Sequence, residues 1–319
     1  MARTLLITRL LPRDVLARAD RDYHVRLNDA VGVLPTDQLV RLAQGADAIL
    51  CTPMDRLNAA VIAALPDSVR VIGTFSVGYE HIDLAAAKAR GIAVVNTPDV
   101  TSAPTAEIAM LLILAAARRA GEGERLVRSG GWTGLTALQL LGTGVTGRRL
   151  GIFGMGHIGR ALARMARGFD MEIHYHNRSR LPPELEQGAT YHASEDTMLP
   201  LCEVLSLNAP AGPETTDWLN AERIAWLPEG AIVVNTARGT LIDDEALIAA
   251  LRTGHVRAAG LDVYNHEPRL HPGYLELENV VLLPHIGSAT WQARNAMGFV
   301  ALDGIDAVLA GTVPSNRLV

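Results

Sequence analysis

Three polar side chains of complementary chemistry stand in the last third of the chain, each shortly after an apolar run typical of a strand. They are Arg238, Glu267 and His285. A guanidinium is a planar fork that can hold a carboxylate and polarise the neighbouring carbonyl. An imidazole can donate a proton to a forming alkoxide as hydride arrives from a nicotinamide, and a carboxylate beside an imidazole raises its pKa and fixes its tautomer. Together these residue types could reduce a 2-keto acid.

Each of these residues also has a structural interpretation. Arg238 could cap a strand end, Glu267 could be a surface residue of a polar loop, and His285 could be a buried histidine with its hydrogen bonds satisfied. Taken one at a time, the three residues leave both interpretations open.

A glycine-rich stretch has the spacing of a dinucleotide-binding turn. Gly154, Gly156 and Gly159 follow the pattern G-x-G-x-x-G between an apolar run and a helical pattern. The first glycine permits a tight turn, the second lets backbone approach a pyrophosphate, and the third lets the helix pack closely on its strand. The N–H groups at the start of that helix would face the phosphates. A structural strand-to-helix turn is the alternative for the motif in isolation.

The residues after the next predicted strand, about 20 positions past the last glycine, are where a Rossmann unit reads the ribose. They are Asn177, Arg178, Ser179 and Arg180. An acidic residue at this place favours NAD, but here no carboxylate would repel a 2′-phosphate, and two guanidinium groups and a hydroxyl could bind it. The sequence therefore predicts NADP(H) over NAD(H), with a solvated basic loop as the alternative.

Short apolar runs alternate with helical patterns along the chain, which predicts parallel sheets covered by helices. The predicted strands are 4–9, 25–27, 48–50, 69–72 and 93–95, then 150–153, 171–176, 204–207, 231–235, 259–261 and 280–283. Long helices are predicted at 106–119 and 289–310.

This order predicts an α/β fold of two Rossmann-like, doubly wound parallel-sheet domains, with the dinucleotide-binding domain inserted in the substrate-binding domain. We expect residues 1–99 and 286–319 to form the flavodoxin-like substrate-binding domain. Residues 100–285 would form the dinucleotide-binding Rossmann domain, with six strands. Cleft motion about the two crossings is the expected motion.

Composition excludes several classes of function. The net charge is −5, so a nucleic-acid partner is not expected. The longest apolar run, 108–117, is too short for a membrane span of about 20 residues. Cys51 and Cys202 are far apart and form no C-x-x-C pair, which favours a reducing cytoplasm. The histidines show no metal-ligand spacing, so no metal is expected.

Four motifs in order resemble the D-isomer-specific 2-hydroxyacid dehydrogenase family, and the likeness covers nearly the whole chain. The motifs are Gly154-x-Gly156-x-x-Gly159, Asn235-Thr236-Ala237-Arg238-Gly239, Asp262-Val263-x-x-x-Glu267-Pro268 and Leu283-Pro284-His285-Ile286-Gly287-Ser288-Ala289-Thr290. Within that family, residues 74–83 and 130–133 look most like the glyoxylate/hydroxypyruvate reductases.

The resemblance implies roles for individual residues. Arg238 would anchor the substrate, His285 would be the general acid/base and Glu267 its partner. The backbone N–H groups of Val77 and Gly78 would grip the substrate carboxylate, and a nest of N–H groups there is physically sensible because glycine allows close approach.

Small residues in the same stretch, Ser76 among them, favour a small substrate such as glyoxylate or hydroxypyruvate. Asp262 would contact the nicotinamide amide, with a strand-end cap as the alternative. The other positions expected to contact the cofactor are His157 (through its backbone), Ile158, Pro210, Thr236, Ala237 and Gly287. The resemblance also suggests a homodimer formed through the second domain, with the helix at 106–119 and Trp132 as the contact.

Several other functions remain open. A D-lactate-type, formate or phosphite dehydrogenase would share the scaffold. A nucleotide-sensing, corepressor-like protein would bind the cofactor without turnover. The complete set of Arg238, Glu267 and His285 argues against the binding protein.

Overall fold

The computed structural model describes residues 3–30, 32 and 34–319, and the chain divides into two compact units. The first unit is Met1–Thr101 together with Ser288–Val319, and the second is Ser102–Gly287. The chain thus leaves the first unit once, forms the whole of the second, and returns. The elements below are numbered in chain order.

The first unit is a five-stranded parallel sheet in the order β2-β1-β3-β4-β5. Its elements are β1 (Thr4–Ile7), α1 (Arg13–Asp22), β2 (His24–Leu27), α2 (Thr36–Leu42), β3 (Ala48–Cys51), α3 (Ala59–Ala64), β4 (Val71–Thr74), α4 (Leu84–Ala89), β5 (Ala93–Val95) and α12 (Trp291–Leu309). This is the strand order of flavodoxin-like folds.

Apolar residues are buried on both faces of this sheet, because successive apolar side chains of a strand point to opposite sides. Leu5 and Ile7 pack in one cluster and Leu6 in another. The first cluster includes Ala301 and Ile305 of α12, so the end of the chain supplies part of this unit's core. The side chain of Thr290 caps α12 by accepting a hydrogen bond from Ala293 N at 3.1 Å.

The second unit is a seven-stranded parallel sheet in the order β12-β11-β10-β9-β6-β7-β8. Its strands are β6 (Arg149–Phe153), β7 (Glu172–His176), β8 (Thr190–His192), β9 (Val204–Leu207), β10 (Ala231–Asn235), β11 (Val256–Leu261) and β12 (Val280–Leu282). Its helices are α5 (Ser102–Ala117), α6 (Ala120–Arg128), α7 (His157–Arg167), α8 (Pro183–Glu186), α9 (Glu195–Met198), α10 (Ala221–Trp226) and α11 (Asp244–Thr253), with 3-10 turns at Leu199–Leu201, Gly239–Leu241 and Pro272–Tyr274. The order reverses beside β6, as in a Rossmann sheet.

The α/β prediction with parallel sheets is confirmed, but the expected six strands of the second sheet were one too few. The missed strand, β8, is an edge strand of three residues with no buried side chain. A short polar edge strand carries little hydrophobic pattern, so its sequence gave no strand signal.

Helix boundaries also differ from expectation. The helix predicted at 106–119 begins at Ser102, with Pro104 in its first turn, where proline costs no intrahelical hydrogen bond. It ends at Ala117, and Arg119, at a φ of 54°, separates it from α6. None of the helices in the described residues combines the length and apolar character that a membrane span requires.

Candidate active site

The glycine-rich stretch forms the turn between β6 and α7. Gly154 has a φ of +95°, and a Cβ there would lie 2.5 Å from the Ala209 nitrogen. A Cβ at Gly159 would lie 2.5 Å from the Gly154 oxygen, so two glycines are required by backbone conformation and packing. A Cβ at Gly156 would meet no heavy atom of the described residues within 4 Å. Its open side, at the start of α7, fits the approach of a pyrophosphate.

The four residues predicted to read the ribose follow β7. The side chain of Asn177 reaches back to the glycine turn and accepts a hydrogen bond from Met155 N at 2.7 Å. Arg178 and Ser179 are exposed. Arg180 is also exposed, but its guanidinium donates to both carboxylate oxygens of Glu186, at 2.8 and 3.0 Å. The two arginines therefore have different surroundings.

Arg238 follows β10, a strand buried along its whole length. The fully buried Asn235 shapes the turn: its Oδ1 accepts from Ala237 N at 2.9 Å and its Nδ2 donates to Arg238 O at 2.8 Å. A Cβ at Gly239 would overlap the carbonyl carbon of Tyr264. The glycine of this motif thus lets the Arg238 turn pack against the loop that carries Glu267.

Glu267 and His285 form a hydrogen-bonded pair. His285 Nδ1 lies 2.7 Å from Glu267 Oε2, and the side chains are 48% and 34% exposed. The other oxygen, Oε1, accepts from Tyr264 N at 2.9 Å. Burial alone would raise the pKa of Glu267, but the hydrogen bond and charge of His285, with smaller contributions from Tyr264 N–H and the Arg238 charge, lower it. The second ring nitrogen of His285 has no hydrogen-bond partner among the described residues.

Asp262 holds the turn that carries His285. This buried carboxylate accepts from Ile286 N and Gly287 N, both at 2.8 Å. Burial raises the pKa of Asp262 despite these two bonds. His285 itself has a φ of 54°, a strained conformation for a non-glycine residue that the flanking bonds hold in place. The observed contacts are those of a strand-end cap, and contact with a nicotinamide stays a prediction.

The remaining expected cofactor positions lie around the same sheet edge, because the carboxyl ends of parallel strands meet there. Thr236 and Ala237 directly follow β10 and are buried, and the Thr236 hydroxyl has no hydrogen-bond partner among the described residues. Pro210 is exposed after β9, and Gly287 is buried after β12. In α7, His157 is exposed and Ile158 is half-buried.

In the first unit, the loop after β4 presents backbone N–H groups. Ser76 Oγ donates to Gly78 O at 2.6 Å, and the Asn96 side chain donates to Val77 O at 2.8 Å. Ser76 O accepts from Thr97 N at 3.0 Å. The carbonyls of the loop are therefore occupied, while Val77 N–H and Gly78 N–H have no acceptor in the described part of the chain. Such a pair can bind an anion.

Residues 110–287 match the family model described as "D-isomer specific 2-hydroxyacid dehydrogenase, NAD binding domain". The chain belongs to this family. The resemblance seen in the motifs is thereby confirmed.

Three relatives of this 2-hydroxyacid dehydrogenase family member show how far the similarity extends. Glycerate dehydrogenase of Hyphomicrobium methylovorum is 45% identical over 98% of each chain. A protein from Polaromonas sp. JS6 66, assigned to the same family, is 47% identical with a TM-score of 0.96 over all of both chains. An NADPH-dependent glyoxylate/hydroxypyruvate reductase from Sinorhizobium meliloti, in complex with NADP and malonate, is 29% identical with a TM-score of 0.89, covering 100% of this chain and 97% of that one.

Two residues that support the site in this family member were not singled out from the sequence. The Tyr264 hydroxyl lies 3.0 Å from Leu261 O and 2.7 Å from Leu283 O, which ties the loop of Glu267 to the ends of two strands. Glu186 holds Arg180, as described above. A tyrosine in a loop, or a glutamate at the end of a short helix, carries no distinguishing pattern. Among the described residues, no group of three or more His, Cys, Asp or Glu side chains is placed to hold a metal ion.

Proposed function

We propose that this protein reduces a small 2-keto acid, glyoxylate or hydroxypyruvate, to the 2-hydroxy acid with NADPH. The observation that carries the proposal is the Glu267–His285 pair, with the second imidazole nitrogen unpartnered among the described residues and the Arg238 guanidinium close enough for its charge to lower the pKa of Glu267.

The second unit suits a dinucleotide. The open side of Gly156 and the start of α7 would hold the pyrophosphate, with backbone contacts from His157 and Ile158. The unpartnered Thr236 hydroxyl, together with Ala237, Pro210, Asp262 and Gly287, would complete the cofactor contacts. A bound nicotinamide supplies the hydride.

The acid/base step belongs to His285. Its Nε2 donates a proton to the carbonyl oxygen of the substrate as that carbon is reduced, and the product is the alcohol. Glu267, held charged by its lowered pKa, stabilises the imidazolium before transfer and fixes which nitrogen faces the substrate. Arg238 holds the substrate and polarises its carbonyl.

The substrate carboxylate is proposed to bind the N–H groups of Val77 and Gly78, whose carbonyls are already hydrogen-bonded. The neighbouring Ser76 is small and buried, which suits a short 2-keto acid.

NADPH is the proposed cofactor because an amide, Asn177, stands where a carboxylate would repel the 2′-phosphate, followed by exposed Arg178 and Ser179. Michaelis constants for NADPH and NADH test this point. Equal or better use of NADH would remove the NADPH preference from the proposal.

We also propose a homodimer formed through the second unit. Large apolar side chains are exposed along and after α6: Val127, Trp132, Leu135, Leu138 and Leu141. A second copy covering them would bury a patch that isolated monomers rarely expose. Light scattering tests it, and Leu135→Glu should give a monomer.

Both cysteines are free thiols, which supports a cytoplasmic location.

The activity itself is tested by the loss of NADPH absorbance with glyoxylate, hydroxypyruvate, pyruvate, formate and phosphite, and by glycerate oxidation in the reverse direction. Glyoxylate and hydroxypyruvate should be the best substrates. Nucleotide binding without turnover of any keto acid would favour a binding protein instead.

A further inference from the structure

The loop after β7 carries two guanidinium groups, and one of them already forms an ion pair. Arg180 donates from Nε and Nη2 to the two oxygens of Glu186. Arg178 is exposed and has neither a hydrogen bond nor an ion pair with any residue that the structure describes. Arg178 and Arg180 flank Ser179 and look alike in the sequence, but their contacts in the structure are different.

Glu186 is a fixed and charged partner. It is 5% exposed, and its Oε1 also accepts a hydrogen bond from the Tyr175 hydroxyl at 2.5 Å. The hydrogen bonds from Arg180 and then Tyr175 lower the pKa of Glu186. Tyr175 is itself fully buried, and its hydroxyl accepts from Leu181 N at 3.0 Å. The carboxylate thus links the loop to the sheet.

A 2′-phosphate could draw Arg180 fully away only by leaving this buried carboxylate without its counter-charge. The free-energy cost of leaving a buried charge unpaired is larger than the free energy gained from an exposed ion pair. Arg178 has no such competing contact. It also lies, with Ser179, between two anchored residues, because Asn177 is bonded to Met155 N and Arg180 to Glu186.

We propose that Glu186 is a positioning residue that decides which arginine reads the 2′-phosphate. By holding Arg180 in the loop, it leaves recognition to Arg178 and Ser179. This inference rests on the proposed NADPH preference. It assigns that preference to one guanidinium, whereas the sequence offered two.

The test uses adenosine 2′,5′-bisphosphate as the probe and adenosine 5′-monophosphate as the matched control, with titration calorimetry on the full chain. Arg178→Ala should weaken binding of the bisphosphate at least tenfold and leave the monophosphate unchanged. Arg180→Ala should lower the thermal midpoint and weaken both nucleotides by similar factors. A selective loss of the bisphosphate in Arg180→Ala as large as in Arg178→Ala would overturn the inference.

Glu186→Gln provides an independent test that does not require loss of the loop, because the amide oxygen can still accept from Tyr175. Released from its charged partner, Arg180 should strengthen bisphosphate binding about two- to fivefold without affecting the monophosphate. Adding Arg180→Ala should cancel the gain. Selective weakening of the bisphosphate in Glu186→Gln would mean that Glu186 presents Arg180 to the phosphate, and the inference would be wrong.

The two proposals fail in different ways. A wild-type protein that binds the bisphosphate no better than the monophosphate overturns the NADPH preference and this inference together. Lack of keto acid turnover overturns the proposed reaction while the nucleotide measurements still stand. If the wild type binds the bisphosphate much more tightly than the monophosphate and Arg180→Ala does not, the role of Glu186 alone is overturned.

Discussion

Two sets of loops at the same edge of the second sheet are held in opposite ways. The turns that carry Arg238 and His285 are held by buried groups, Asn235 and Asp262, each of which makes two hydrogen bonds to backbone. The loop at 177–180 is mostly exposed and is held at its ends by two hydrogen bonds to Asn177 and by the ion pair of Arg180. Proton transfer requires fixed geometry, whereas recognition of an exposed phosphate depends chiefly on charge. We therefore expect substitutions in the first set to affect turnover and those in the second to affect cofactor choice.

The largest effect is expected from His285→Ala, which removes the proton donor. We expect kcat to fall by 10²–10³-fold, or about 3–4 kcal/mol of transition-state stabilisation, with little change in NADPH binding. Steady-state kinetics and cofactor titration measure both quantities. The chain offers a matched control in His271, whose Nε2 lies 3.0 Å from Glu245. His271→Ala should keep normal turnover, and near-normal turnover of His285→Ala would refute the assigned role.

Arg238→Ala should come next. We expect kcat/KM for the keto acid to fall by about 10²-fold, roughly 3 kcal/mol, and KM for the keto acid to rise, because the guanidinium both binds and polarises the substrate. Arg238→Lys keeps the charge without the planar fork and should recover only part of the activity. If KM for the keto acid stayed unchanged, Arg238 would not be the substrate anchor.

Gly239→Ala tests how tightly the two catalytic loops are packed. Its Cβ would overlap Tyr264, so the backbone must shift, and we expect a loss of about 1–3 kcal/mol in the free energy of unfolding by urea. Gly144→Ala is the control, because a Cβ there meets no heavy atom of the described residues within 4 Å. Equal free energies of unfolding for the two variants would show that the backbone around Tyr264 accommodates the added methyl group without cost.

Glu267→Gln should change the pH dependence of turnover. The lowered pKa of Glu267 keeps the carboxylate ionised to a lower pH than an ordinary glutamate, so its charge beside His285 is present throughout the neutral range. Glutamine has no such charge and does not titrate. We therefore expect kcat to be about tenfold lower in the variant, and the loss of turnover that accompanies protonation of Glu267 on the acid side of the wild-type profile should be absent. An unmoved profile would argue against coupling of the pair.

The parts of this arrangement that depend on hydrophobic periodicity and on residue type could be predicted from the sequence. Buried strands such as β10 and the glycine spacing after β6 are readable because core packing and tight turns restrict the residues allowed there. The supporting contacts were not readable. The bonds from Ile286 and Gly287 to Asp262 arise where two separate loops converge. The ion pair of Arg180 with Glu186 joins a loop to the end of a short helix. Neither hydrophobic periodicity nor motif spacing encodes such contacts. That is why Arg178 and Arg180, separated by one residue, could be predicted to be equivalent when their surroundings differ.

The smallest effect is expected from Ser179→Ala in the exposed loop. Loss of one hydroxyl that bonds the phosphate should raise KM for NADPH about three- to tenfold, because water can replace the hydroxyl at this exposed position and the net loss is then about 1 kcal/mol. KM for NADH and kcat should stay the same, since the hydroxyl has no role toward the ribose of NADH or the reacting carbon. Parallel kinetics with both cofactors measure the difference, and Ser194→Ala, a change at a half-buried serine of the same unit, serves as the control. A drop in kcat with both cofactors would show that this loop and the catalytic turns are coupled, and the contrast between the two regions would no longer hold.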